Sequence, residues 1–310
     1  MQVAKPRAIV RTRRGTKWAN QDVLLGLMML TPALAILAAV MLYPAVVAIQ
    51  SSFYRIDTVT RAETFVGLRN YQNLLVDPMF WSSLQRTAVW VVGAILSQAV
   101  AGIVIALVLD LSLRGRSFVR GLVLFPYFVP AIVAVLTWRW IFSDTVGVAN
   151  YLLVDVTRIL KGPIPWFEPT FAMFTVVIMS LWKYSPYWAL LILARLQVIP
   201  TDLYEAAQMD GASWWLQFRY ITLPWIMPVL VVILILRGIW AFNEFDMVYL
   251  PAGGGPLYAT TTIAVYIRQV AFDLLNIGAA SAVAIVMLGI LICLTAVYFQ
   301  VYRRAEQSLS

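Results

Sequence analysis

Long apolar runs separated by short polar stretches dominate the chain. Six runs have the length of about 20 residues that a helix needs to cross a bilayer. They lie near Val23–Val47, Ala88–Leu109, Gly121–Phe142, Thr170–Leu193, Leu223–Phe242 and Ile277–Val301. The first, second and sixth carry no charge, and the third, fourth and fifth carry one basic residue each: Arg139, Lys183 and Arg237. The pattern predicts an all-α polytopic membrane protein with six transmembrane helices. The first run exceeds the 7–15 residues of a signal-peptide core, so it reads as a retained span. Between the fourth and fifth runs lies a polar island, Glu205 to Pro224. Asp202 with Glu205 predicts a capping box, and Gly211 suits a helix end. Ser213 is placed to cap a second short helix through Trp214, Trp215 and Phe218. The expected product is a two-helix knob beside the membrane.

Composition narrows the class. The chain has 310 residues, 62% apolar and 12% charged, against about a quarter charged in soluble domains. Its length is consumed by spans and connections, which leaves no room for a separate soluble catalytic domain. It has no histidine, which removes Ser-His and Cys-His catalysis and the usual proton shuttle. Its one cysteine, Cys293, sits in an apolar run and reads as a small buried hydrophobe.

The net charge of +8 is a topology signal rather than a nucleic-acid signal. With the N-terminus inside, the inner segments hold Lys5, Arg7, Arg11, Arg13, Arg14, Lys17, Arg114, Arg116, Arg120, Arg195, Arg219, Arg303 and Arg304, 13 in all. The outer segments hold Arg55, Arg61, Arg69, Arg86, Arg158, Lys161 and Arg268, 7 in all. By the positive-inside rule both termini and the knob are then cytoplasmic. The expected organisation is a cytoplasmic tail over 1–22, a six-span transmembrane domain over 23–302 with a cytoplasmic loop at about 195–222, and a tail over 303–310. Outer segments 51–87, 143–169 and 243–276 are long enough for short folded pieces. Gly253-Gly254-Gly255-Pro256 marks a turn; no Lys-Ser/Thr follows it, so it is not a phosphate loop.

The island carries a resemblance. Glu205-Ala206-Ala207, Asp210-Gly211-Ala212, Phe218, Ile221, Leu223-Pro224 and Pro228 resemble the "EAA" signature of permease subunits in binding-protein-dependent ABC importers, of the branch that imports sugars and glycerol-3-phosphate (maltose-type). The resemblance covers most of the chain, with its specific motif confined to the knob and its flanks. It implies a bacterial inner-membrane assembly of two homologous permeases, two ATPase subunits and an extracytoplasmic solute-binding protein. Glu205, Ala206, Ala207, Asp210 and Gly211 would couple this chain to the ATPase. ATP and Mg²⁺ would be bound by that partner, since no Gly-x-x-x-x-Gly-Lys-Ser/Thr occurs here. The chain is therefore expected to be a translocation subunit without cofactor, metal or catalytic residues of its own.

Candidate solute contacts lie near the fourth and fifth spans. Sugars suit aromatic faces with amides or carboxylates to exchange hydrogen bonds with hydroxyls. Tyr184, Tyr187, Trp188, Phe242 and Asn243 offer such groups, and the segment resembles the family's Phe-Asn pattern ahead of Gly254-Gly255-Pro256. An interfacial aromatic belt is the alternative reading. Lys183 and Arg237 face either a cavity or packing, and Arg139, between Trp138 and Trp140, suits snorkelling. A polytopic enzyme lacks support in paired carboxylates, and an ion-coupled transporter would be expected to carry intramembrane Asp or Glu.

Overall fold

The computed structural model describes residues 16–56, 62–111 and 115–307, with side chains from 23 to 300. Most of the expected tail over 1–22, Arg61 and Arg114 lie outside these residues, as do the side chains of Lys17, Arg303 and Arg304.

The architecture is all-helical apart from one small hairpin. Helix α1 crosses over Val23–Ser51 and leads into an antiparallel pair, β1 (Tyr54–Ile56) and β2 (Glu63–Phe65). Short helix α2 (Arg69–Val76) and the long α3 (Pro78–Asp110) follow. Next come α4 (Arg116–Phe128), α5 (Ala131–Ile141) and α6 (Ala172–Leu196). The polar island forms α7 (Thr201–Met209), and α8 runs from Trp214 to Phe242. Two short helices, α9 (Asp246–Ala252) and α10 (Ile263–Arg268), precede α11 (Ile277–Gln307). Among the described residues five helices are long and apolar enough to cross a membrane, and the α4–α5 pair makes a sixth crossing if counted as one.

That pair corrects the expectation of a continuous third span: its halves are bent by 94°. The cause is local. Pro130 supplies no N–H, and a residue before proline is driven from the helical region; Val129 accordingly sits at φ −64°, ψ 128°. The break leaves α4's terminal carbonyls without intrahelical partners, which hydrocarbon cannot satisfy. Lys183, buried on α6, donates its Nζ to the Val129 carbonyl.

The centre of the fold is the packing of α3 along α6. Gly102 makes this possible: a Cβ there would meet Cβ of Trp188 at 2.3 Å and the Ala189 nitrogen at 3.3 Å. Close helix approach through small residues drives packing where lipid removes the hydrophobic contrast. Gly278 and Ala282 are such sites on α11. A Cβ on Gly278 would stand 2.0 Å from the Tyr54 carbonyl, and Ala282 is buried. Cys293 departs from expectation, being exposed on α11. An apolar span in a bilayer has a lipid face, so an apolar run does not imply protein around each of its residues.

At the hairpin end, polar side chains tie the elements together. Asn70 donates to the carbonyls of Ser52 (2.8 Å) and Tyr54 (3.1 Å), and Tyr266 donates to Asp77. Thr87 accepts the Ile263 N–H at 2.8 Å, and the Trp90 indole donates to the Ala241 carbonyl at 2.8 Å. The 143–171 segment is also folded: Asn150 accepts from the Ile164 N–H and the Trp166 indole, both at 3.0 Å. Arg139 is exposed in the last turn of α5, next to exposed Trp140.

Gly102→Val should wedge α3 from α6. Overpacking costs about 1–3 kcal/mol, so the purified variant should unfold several degrees below the parent in a detergent melt. Gly121→Ala, where a Cβ meets nothing within 4 Å, should not lower the midpoint.

Candidate functional site

A polar and aromatic cluster forms where α3, α6 and α8 meet the broken α4–α5 crossing. Gln98, fully buried on α3, is its hub. Its Oε1 accepts from Nε of Arg237 at 3.3 Å and from the Trp188 indole at 3.4 Å. Its Nε2 donates to Oγ of Ser180 at 3.4 Å. The Arg237 guanidinium lies over the Tyr184 ring, 3.9 Å from its centroid, where the π face attracts a cation. The Tyr184 hydroxyl donates to Oε2 of Glu244 at 3.0 Å. Just past α8, Glu244 also accepts the Met247 N–H at 3.4 Å, which fixes the start of α9. Burial pushes the Glu244 carboxyl above its usual range, against the opposing pull of its hydrogen bonds from Tyr184 and Met247.

Aromatic rings wall this cluster. Tyr127, at the end of α4 beside the break, stacks on Tyr187 with centroids 5.6 Å apart. Tyr187 in turn meets Trp240 at 5.9 Å. Tyr127, Tyr184 and Tyr187 are half-buried, while Trp240 is 45% exposed. The wall therefore offers ring faces, with a guanidinium and a carboxylate set apart by one phenol.

The structure brings some expected contacts together and separates others. Lys183, Tyr184 and Tyr187 belong to the cluster, but the Lys183 ammonium is already engaged by Val129. Trp188 is only 1% exposed, because its ring packs at Gly102 and its N–H is used by Gln98. Phe242 is buried too, in a core with Phe80, Ile263, Tyr266 and Met287. Asn243 is exposed, caps α8 through the Ile239 carbonyl at 2.9 Å, and lines a separate cavity of about 410 Å³ with Phe245, Ala264, Ile267 and Met287. Helical spacing explains part of the division: 237 and 240 share one side of α8, while 239 and the capping residue 243 share another, and Glu244 follows past the helix end. Sequence reasoning missed Tyr127, Gln98 and Glu244. Pro126 and Pro130 flanking Tyr127, and a lone amide in an otherwise apolar span, were the available signals.

The knob is built differently from expectation at its start. Pro200 precedes α7, no side chain caps it, and Asp202 lies in its first turn, so no capping box forms. Its end matches the reading. Gly211 has φ +75°, its N–H bonds the Gln208 carbonyl at 3.0 Å, and the Ala212 N–H bonds that of Ala207 at 2.9 Å. This is the left-handed Schellman closure. Ser213 accepts the Leu216 N–H at 3.4 Å. The helix it starts is not separate, however: it runs through a π turn at Phe218–Thr222 into α8. Pro224 provides no N–H for the regular ladder, and the wider turn absorbs that loss. Glu205, Ala206, Asp210 and Gly211 are exposed and Ala207 is half-buried. Tyr204 hydrogen-bonds Thr222 at 2.9 Å, which fastens α7 to the foot of α8. Trp214 and Trp215, 66% and 60% exposed, each stack on Phe218 at 5.7 Å.

Comparison with known proteins agrees with this architecture. Residues 98–307 match the family model described as binding-protein-dependent transport system inner membrane component. The chain is similar to the trehalose/maltose transport system permease protein MalF of Thermococcus litoralis, 37% identical over 292 residues, which covers 93% of this chain and 97% of that one. It is also 36% identical to the sulfoquinovosyl glycerol transport system permease protein SmoG of Agrobacterium fabrum, over 94% and 95% of the two chains. A bacterial ABC transporter involved in the import of the acidic polysaccharide alginate shares the fold, with a TM-score of 0.78 at 22% identity over 93% of this chain and 98% of that one. This chain, a membrane translocation component and not an enzyme, belongs to the family of binding-protein-dependent transport system inner membrane components.

Proposed function

We propose that this chain is one of two homologous permease subunits of an ATP-driven ABC importer. It moves a sugar, or a related polyol or sugar derivative, across a bacterial inner membrane by alternating access. The observation that carries the coupling half of this reading is α7: an exposed helix, closed at its C-terminal end by Gly211 and fastened to the foot of a membrane-crossing helix. A rigid helix of this kind transmits displacement, where a loose loop would absorb it. Glu205, Ala206, Ala207, Asp210 and Gly211 form the surface offered to a pair of ATPase subunits, which hold the ATP and Mg²⁺. The solute half rests on the wall of Tyr127, Tyr187 and Trp240 beside Arg237 and Glu244. Relatives named for trehalose, maltose and sulfoquinovosyl glycerol transport support that solute class.

Orientation follows from the basic residues. Arg195 and Arg219 flank the knob, and Arg116 and Arg120 open α4. With the sequence excess on that side, α7 and both termini are cytoplasmic. Residues 1–22 and 303–310 are then tails to the permease domain 23–302. The hairpin end, with the 143–171 and 243–276 segments, faces the extracytoplasmic binding protein.

Co-purification from the native membrane tests the assembly, with recovery of an ATPase and a second six-span permease as the expected result. The chain recovered alone, and active without ATP, contradicts it. Coupling is tested at Gly211. A Cβ there meets nothing within 4 Å, so its demand is purely for the left-handed backbone, which costs an L-residue about 1–2 kcal/mol. Gly211→Val should abolish ATP-dependent uptake while membrane insertion stays intact. Gly211→Asn should keep most of it, since asparagine tolerates that conformation. Normal uptake by the valine variant would remove the coupling role.

A further inference from the structure

We infer that Arg237 recognises a negatively charged group on the translocated solute, so the substrate class narrows to an acidic sugar derivative. This rests on the importer reading above. The cluster contains two basic side chains, Lys183 and Arg237, but one carboxylate, Glu244. Among the described residues the sole ion pair is Arg268–Asp273 at 3.0 Å, outside the cluster. Neither buried cation is therefore within ion-pair distance of an acid, and the apolar runs that supply α3, α6 and α8 contain no Asp or Glu between 88 and 109, 170 and 193, or 223 and 242. An uncompensated charge within a membrane is costly and calls for a counter-charge.

The two cations differ in what they leave free. Lys183 is taken up by the Val129 carbonyl at the helix break. Arg237 spends Nε on Gln98 and its face on Tyr184. Neither of its Nη atoms has a hydrogen-bond partner among the described residues. The residue is 3% exposed, so these donors lie at the edge of the buried cluster, short of the full enclosure of Nη1 of Arg86 and Nε of Arg120. The guanidinium is thus held over the Tyr184 ring through Nε and its central carbon, with its two terminal donors unused. A planar fork of fixed orientation suits two oxygens of a carboxylate, sulfonate or phosphate better than it suits single hydroxyls.

The surroundings complete the site. Trp240 lies 5.9 Å from the guanidinium carbon and leads to Tyr187 and Tyr127, whose ring faces suit the C–H surface of a pyranose. Glu244, held across Tyr184 from Arg237, is placed to exchange hydrogen bonds with hydroxyls. The acidic group belongs at the Arg237 end and the hydroxyls at the Glu244 end.

The test is equilibrium binding to the purified transporter complex in nanodiscs, with D-glucuronate and D-glucose as probes. These share a ring and differ by a carboxylate in place of a hydroxymethyl. Glucuronate should bind about tenfold more tightly or better, equivalent to ~1.4 kcal/mol. Arg237→Gln should level the two, and Arg237→Lys should keep part of the preference. Size-exclusion profiles establish that each variant still assembles; if the glutamine variant does not, the lysine variant and the wild-type preference decide. Equal binding of the two sugars, binding of neither, or a preference that survives Arg237→Gln overturns the inference. ATP-driven uptake of a neutral sugar without any preference for acids would overturn it while leaving the importer reading intact. Loss of ATPase co-purification would strike the importer reading instead.

Discussion

The contact between the Lys183 ammonium and the Val129 carbonyl is the interaction on which the interior arrangement depends. A membrane interior tolerates broken backbone only where something satisfies the freed groups. Pro130 breaks the crossing, and the two halves leave the break at 94° to one another. Without a donor from α6, the α4 end would face apolar side chains with an orphaned carbonyl, a cost of about 1–3 kcal/mol. With it, the break is fixed beside α6, and Tyr127 is brought onto Tyr187. One lysine thus converts an interruption in a span into a wall of the polar and aromatic cluster.

The cluster also depends on close packing elsewhere. Gly102 lets α3 lie against α6 at Trp188, and this brings Gln98, one turn earlier on α3, within reach of both Trp188 and Arg237. A larger residue at 102 would move the amide away from two donors at once. The cluster is therefore a product of small-residue packing as much as of its polar groups, and its hydrogen bonds in turn hold the three helices in register.

Much of this was legible from residue pattern alone. Apolar run length gave the crossings, because a bilayer demands length and little else. Gly211 and Ser213 were readable because helix ends have strong local chemistry. Asp202 misled: the capping-box pattern was present, but Pro200, two residues earlier, had already opened the helix. The 94° bend was not legible, since proline is common in spans that stay continuous and only a donor from another helix decides between bending and breaking. The make-up of the polar and aromatic cluster was half legible. Tyr184 and Tyr187 were found through aromatic clustering, whereas Trp188 and Phe242 share their chemistry but face the core, and facing is a property of packing between helices.

The proposed coupling and the proposed solute site are physically one object. Tyr204 bonds α7 to Thr222, and Thr222 closes the π turn from which α8 continues without interruption to Phe242. At 1.5 Å per residue, the 29 residues from Trp214 span roughly 43 Å, which exceeds the bilayer core of about 30 Å. Arg237, Trp240 and, just beyond, Glu244 ride on the far end of that rod. A displacement of α7 by an ATPase partner would therefore be delivered to these side chains directly, while Lys183 and Tyr184 remain on α6 and Gln98 on α3. The contacts that cross between those helices, the Arg237–Tyr184 stack, the Arg237–Gln98 bond and the Tyr184–Glu244 bond, are the ones such a motion must strain or exchange. A solute held between Arg237 and Glu244 would sit on α8 and lean on the side chains of α6 and α4. Driving the rod then changes the shape of the site without any separate signal reaching it.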